Sequence, residues 1–335
     1  MNKPIVIAVD AMGGDSSPNK IIDGIELYQQ KNINIFYKLF GDKNLIEKSL
    51  KNKKIDNQSY EIIHTDDSVK DGDSALTAAK RGKNTSMWLS IESVKNKTSD
   101  IVLSAGNTGA LFVIAKLNLK MIENIDKPAL SGLWPNKIGM NIVLDLGANI
   151  ECNEKNLKDF SIMGAALHKS LFPDEVAKVA LLNIGSEEIK GKNVIKNTYQ
   201  ELSKLNSSLF EFKGYVEANN IMSGKVNVII ADGFTGNIAL KTAEGTANFI
   251  TSELKIALTS NIMGKISSLL NIKNINYFKK KLDPRLYNGA ILLGLDSPVV
   301  KSHGGTDHIG FANAISVCEK IIKGRLIDKI KENIY

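Results

Sequence analysis

The sequence predicts an α/β protein, a three-layer α/β/α sandwich around a mostly parallel sheet. Short runs rich in Val and Ile recur without polar alternation, as expected of strands covered on both faces. Each run ends in a polar residue close to a glycine. Helix-length segments separate the runs, and strand, glycine loop and helix in repeated order build parallel sheets.

Taken in order, "IVIAVD" (5–10) is a strand that ends on Asp10 and breaks into Gly13, Gly14 and Asp15. "IVLSAGNTG" (101–109) repeats the pattern with Ser104, Gly106, Asn107, Thr108 and Gly109, and a helix over 107–122 follows. "NIVLDLGAN" (141–149) ends on Asp145 and precedes a helix over 157–172. "KVALLNIGSEE" (178–188) ends on Asn183 and Gly185. "VNVIIADGFTGN" (226–237) ends on Asp232, Gly233 and Asn237, with a helix over 239–254 after it. "SPVVKSHGG" (297–305) closes the series with Lys301, Ser302, His303 and Gly304. No linker or low-complexity block interrupts the chain, so one unit over 1–335 is expected.

Composition narrows the class. Hydrophobic residues make up 43% of the 335 positions, enough for a large core. A formal charge of +7 suits an acidic partner or an anionic surface and implies no nucleic acid by itself. Cys152 and Cys318 stand far apart, so no disulfide framework and a reducing compartment are expected. No run approaches the roughly 18–20 apolar residues of a membrane span, and the first residues lack a signal-peptide pattern. A cytoplasmic protein is expected.

In parallel sheets the loops at the carboxyl ends of the strands gather at one edge, where ligands bind. Six glycine-bearing loops there let backbone N–H groups approach a ligand, and helix N-termini add a positive field. That combination suits an anion such as phosphate. The dinucleotide fingerprint, the P-loop and the G-x-S-x-G elbow are all missing. The four histidines form no ligand cluster, so no metal site is expected.

As a set, "VDAMGGD" (9–15), "SAGNTGAL" (104–111), "LDLGAN" (144–149), "LLNIGSEE" (181–188), "ADGFTGN" (231–237), "DPRLYNGA" (283–290) and "KSHGG" (301–305) resemble, in order, the motifs of the bacterial phosphate acyltransferase family. That family is the acyl-ACP:phosphate transacylases. The resemblance runs from residue 5 to about residue 315. It implies a fold like that of isocitrate and isopropylmalate dehydrogenases, a homodimer, peripheral association with the membrane surface, and no cofactor. It implies that acyl carrier protein (ACP) donates a fatty acyl group to inorganic phosphate. The acyl phosphate then feeds phospholipid synthesis through a membrane glycerol-3-phosphate acyltransferase. Three positions depart from the family's usual pattern: Gly82, Asn136, and the Gly305-Thr306-Asp307 run after "KSHG".

Within that reading, Lys301, His303, Asn107 and Asp232 are the candidate catalytic residues. Lys301 supplies a point charge for phosphate, and His303 a proton for the departing thiolate. Asp10, Gly13, Gly14, Ser104, Gly106, Thr108, Gly109, Asp145, Asn183, Gly185, Gly233, Asn237, Ser302 and Gly304 are candidates to line the phosphate and substrate site. Asp10 and Asp15 are expected to orient lysine or backbone donors or to hold the loop, and Asp145 or Asp232 to hold the Lys301 ammonium. The same glycines and asparagines also serve plain tight turns. Leu258, Ile262, Ile266, Leu269 and Leu270 share a helical face flanked by Lys255 and Lys273, with Lys279–Lys281 beyond. This segment, about 250–282, faces a bilayer, or else packs on the core or on a dimer partner. Lys80, Arg81 and Lys83, or the 265–281 lysines, are candidate docks for acidic ACP. Rival readings are a phosphotransacetylase-like enzyme using short acyl-CoA, an oxidoreductase on the same fold, and a non-catalytic scaffold.

Overall fold

The computed structural model describes residues 3–30, 34–70 and 72–334. Among the described residues the strands are β1 (Ile5–Asp10), β2 (Ile35–Gly41), β3 (Tyr60–His64), β4 (Ile101–Ser104), β5 (Ala129–Pro135), β6 (Met140–Leu144), β7 (Ala177–Asn183), β8 (Phe210–Glu217), β9 (Val228–Ile230), β10 (Ala290–Leu293) and β11 (Val299–Lys301). They form one sheet in the order β3-β2-β1-β4-β11-β10-β5-β6-β9-β7-β8. Helices cover both faces. Ile7, Val9, Leu103 and Val300 pack on one side with Ile21, Ile25 and Phe311. Ala8, Val102 and Val299 pack on the other with Met87, Ile91 and Leu111. A strand buried on both faces needs no polar alternation, which is why the runs read as continuous apolar stretches.

The direction of the strands departs from the expectation of one shared edge. β3, β2, β1, β4 and β11 run parallel to one another. β10 is antiparallel to β11 and to β5, and β5 is antiparallel to β6. Three successive reversals leave β6, β9, β7 and β8 parallel among themselves but opposite to β11. The six glycine loops therefore divide. Those after β1, β4 and β11 lie at one rim of the sheet, and those after β6, β7 and β9 lie at the opposite rim. The expectation failed because β5 ("ALSGLWP") and β10 ("AILL") carry no polar–glycine ending and do not stand out in the sequence.

Register then sets the first rim. Asp10 pairs with Ser104, and Ser104 pairs with Lys301. Neighbours in register on parallel strands point to the same face. Three polar tips thus stand side by side beneath the helices Ser86–Lys95 and Thr108–Asn118.

Between β9 and β10 the chain leaves the sheet in three helices, Gly233–Thr259, Ile262–Leu270 and Ile272–Lys281. The first is 27 residues long, and only Gly233 and Gly236 in it are buried. Phe249, Ile256, Ile262, Met263, Leu269 and Leu270 are all exposed, Leu270 at 80%. Among the described residues no helix is long and apolar enough to cross a membrane.

Candidate active site

At the first rim, three loops close on Gly14. Its φ is +78°, a conformation glycine adopts without strain. A methyl group there would meet the Ala105 carbonyl at 2.7 Å, the Lys20 ammonium at 2.9 Å and the Gly304 carbonyl at 3.0 Å. Gly13 is held as tightly, since its methyl would lie 2.6 Å from the Gly106 nitrogen. Substituting either glycine would push the loops after β1, β4 and β11 apart.

Asp10 forms the floor of this site, at 1% exposure. Ser86 and Ser104 donate their hydroxyls to its two oxygens at 2.6 and 2.7 Å. Burial pushes its carboxyl above the ordinary range, opposed by those hydroxyls, the Met12 amide and the nearby Lys301 charge. Lys301 is 7% exposed. Its ammonium donates to the Ala105 carbonyl at 3.4 Å and to the Ser302 carbonyl. Asp10 is thus the carboxylate whose charge is tied to Lys301. Asp145 and Asp232, expected to hold that ammonium, sit at the other rim, because β6 and β9 run the opposite way.

Asn288 fastens the loop after β11. Its amide group donates to the Ser302 hydroxyl at 2.8 Å and to the Gly310 carbonyl, and its oxygen accepts the His303 amide. His303 is exposed, and its Nδ1 accepts the Gly305 amide at 3.1 Å. In the neutral ring that arrangement leaves the proton on Nε2. Asn107 caps the helix Thr108–Asn118, accepting the Ala110 amide at 3.0 Å. Thr108 and Gly109 open that helix, and Gly109 lies against Ala75 of the short helix Ala75–Lys80.

The opposite rim is built differently. One Asp145 oxygen accepts the amides of Leu130, Gly147 and Ala148, and the other accepts both the amide and the side chain of Asn149. Burial raises its carboxyl, against the pull of these donors. Asp232 caps the helix Gly233–Thr259 through the Thr235 amide at 2.7 Å, with Lys192 at 3.8 Å. Gly233 accommodates the Asn149 carbonyl, and Asn237 donates to the Leu146 carbonyl. Asn183 donates to the carbonyls of Gly185 and Lys190 inside its own loop. These bonds tie the loops after β6 and β9 to each other and close the loop after β7 on itself.

The structure therefore brings together Asp10, Gly13, Gly14, Ser104, Gly106, Asn107, Lys301, Ser302, His303 and Gly304. It separates them from Asp145, Asn183, Gly185, Asp232, Gly233 and Asn237. Ser86, Asn288 and Lys20 were missed. Ser86 and Asn288 lie outside strand tips, and Lys20 reads as an ordinary solvated lysine. Two of the departures noted above, Asp307 and Asn136, have local structural roles. Asp307 caps the helix His308–Lys323 and pairs with Arg285 at 2.9 Å. Asn136 accepts the amides of Ile138 and Gly139 in the turn between β5 and β6.

The three-layer α/β fold is shared with solved phosphotransacylases and certain dehydrogenases. A phosphotransacetylase from Streptococcus pyogenes aligns with a TM-score of 0.63 at 15% identity, covering 98% of this chain and 95% of its own. A 4-hydroxythreonine-4-phosphate dehydrogenase from Klebsiella pneumoniae aligns at 0.51 and 13% identity, covering 96% and 99%. Sequence goes further than fold. The model of the fatty acid synthesis protein family matches residues 5–329. A phosphate acyltransferase from Pelagibacter ubique (strain HTCC1062) is 70% identical over 334 residues, spanning 100% of both chains. The chain belongs to this phosphate acyltransferase family and is an acyltransferase.

Proposed function

We propose that the protein transfers a fatty acyl group from acyl carrier protein to inorganic phosphate, giving acyl phosphate and free carrier. The observation that carries this reading is the convergence of the β1, β4 and β11 tips on Gly14, with the buried Lys301 ammonium beside it. Phosphate binds there as an anion, and one of its oxygens attacks the thioester carbonyl carbon. The C–S bond breaks, the acyl carbon stays on phosphate, and the pantetheine sulfur leaves as a thiolate. The sulfur takes up the proton that hydrogen phosphate releases as it becomes acyl phosphate, and the Nε2–H of His303 hydrogen-bonds to the departing thiolate. Phosphate is already a nucleophile at neutral pH, so the protein contributes mainly position and charge.

The carrier docks through the exposed basic residues Lys80, at the end of the helix lying against Gly109, and Lys83, just beyond it. Phospholipid synthesis consumes the product, through a membrane enzyme that acylates glycerol 3-phosphate. The helices of residues 233–281 serve that handover. A second copy of the chain covers the long helix, and the lysine-rich tip rests on an anionic bilayer. Sedimentation velocity with and without anionic vesicles reads both; a monomer that ignores vesicles at low salt rejects this part.

The reaction itself is tested with fatty acyl-ACP, phosphate and hydroxylamine. Hydroxamate that forms only when phosphate is present is the expected result. None with ACP but a robust yield with short acyl-CoA would replace the fatty acyl donor with the short-chain rival.

A further inference from the structure

Asn288 stands just before β10, and the antiparallel pairing of Ala290 with Lys301 carries it to the end of β11, opposite His303. It is buried, at 7% exposure. Its two N–H bonds go to the Ser302 hydroxyl at 2.8 Å and the Gly310 carbonyl at 2.7 Å, and its oxygen accepts the His303 amide at 2.8 Å. A backbone amide only donates and a carbonyl only accepts, so neither an aspartate nor a leucine of similar size makes this set.

The loop that Asn288 meets is anchored on either side of His303 by other means. The Ser302 amide donates to the Ser104 carbonyl at 2.9 Å, which ties that residue to β4. The Gly304 carbonyl accepts the Asp15 amide at 3.1 Å, which ties the next one to the loop after β1. His303 lies between. Its carbonyl accepts the Thr306 amide at 3.2 Å within its own turn, and its amide crosses to Asn288. The ring itself is exposed. Packing does little to hold an exposed ring, so its aim comes from the backbone beneath it and from the Gly305 amide at Nδ1.

We infer that Asn288 is a positioning residue for acyl transfer, setting through the His303 amide where the Nε2–H meets the departing sulfur. This rests on the reading that His303 hydrogen-bonds to that thiolate. Charge gathers on the sulfur only as the C–S bond breaks, so a displaced Nε2–H weakens the transition state more than the bound substrates. The loss falls on kcat. The residues on either side keep their own anchors, so the KM for phosphate holds.

Asn288→Ala should lower kcat about tenfold or more and leave the KM for phosphate within about threefold, with the circular dichroism of the parent. In a His303→Gln background the same substitution should cost less than about twofold, because the group it positions is gone. An equal fold-loss in both backgrounds overturns the proposal, since a merely loosened fold would cost both alike. Should Asn288→Ala fail to fold, Asn288→Ser is read by the same cycle. A His303→Gln protein as active as the parent also overturns it, while leaving the acyl transfer itself standing.

The aim of the ring is also read without any reaction. The chain has four histidines, and in proton NMR the ring signal of His303 should move in Asn288→Ala while those of His64 and His168 hold. An unmoved His303 signal rejects the proposal whether or not acyl phosphate forms. If the wild type makes no acyl phosphate and the signal still moves, the proposed reaction fails and the hold of Asn288 on His303 stands.

Discussion

The two rims of the sheet carry the same sequence pattern in different surroundings. At each, an apolar strand ends near an aspartate and a glycine. Asp10 is met by two serine hydroxyls and by the charge of Lys301. Asp145 is met by four backbone amides and an asparagine of its own and neighbouring loops. The carboxylate of Asp10 is met mainly by side chains and that of Asp145 mainly by backbone amides, so what surrounds a strand tip, and not the residue on it, distinguishes the two rims.

The sharpest way to break this comparison is to disable one residue at each rim. Lys301→Met should cost about 10²–10³-fold in acyl-phosphate formation, as losing one buried charge aimed at the reacting group does. Its circular dichroism should match the parent. Asp145→Asn should do the reverse: it places an NH2 against amide donors, costing about 1–3 kcal/mol of stability. Activity per folded molecule should stay within a few-fold. If both variants lose activity alike, the rims are not functionally distinct.

Acid sharpens the contrast through His168, on the helix Glu154–Leu171 that packs beneath the second set of strands. Both ring nitrogens lack a hydrogen-bond partner, and burial, aided by Lys169, lowers its pKa from 6.5 to about 4. Glu175 lies 3.5 Å away but is mostly exposed, so solvent screens it and burial wins. The unfolded chain therefore takes up a proton that the fold refuses, and stability is lost as pH falls from 6.5 to about 4. The full loss is about 3 kcal/mol. His168→Leu should remove this acid slope in denaturant titrations, while an identical slope in both proteins would count against it.

The smallest effect concerns Gly236, in the first turn of the helix Gly233–Thr259. A methyl group there would fall on the Asp145 carbonyl oxygen. Gly236→Ala should destabilise the fold by about 1–3 kcal/mol through overpacking, with kcat intact once folded. A drop in kcat without loss of melting temperature would tie the second rim to the reaction.

Much of this was legible in the chain. Asp10, Ser104 and Lys301 stand out as polar ends of apolar runs. The stripe expected over residues 258–270 is split, since the helix ends at Thr259 and a new one begins at Ile262, leaving Leu258 on a different helix from the exposed Ile262, Ile266, Leu269 and Leu270. Lys20 was not legible, because nothing local distinguishes a lysine under a folded loop from one in water. Nor was the partner of Lys301, since Asp10, Asp145 and Asp232 end their strands alike.

The sequence by itself determined which segments are strands and helices at the polar–glycine loops, and which residues crown each tip. Those properties depend on unbroken apolar runs and on a period of 3.6 residues, which a short window contains. Only the tertiary structure decided that β1, β4 and β11 adjoin in register while β6, β7 and β9 face the other way. Strand order and direction arise from crossovers between residues far apart in the chain, and no local pattern encodes them.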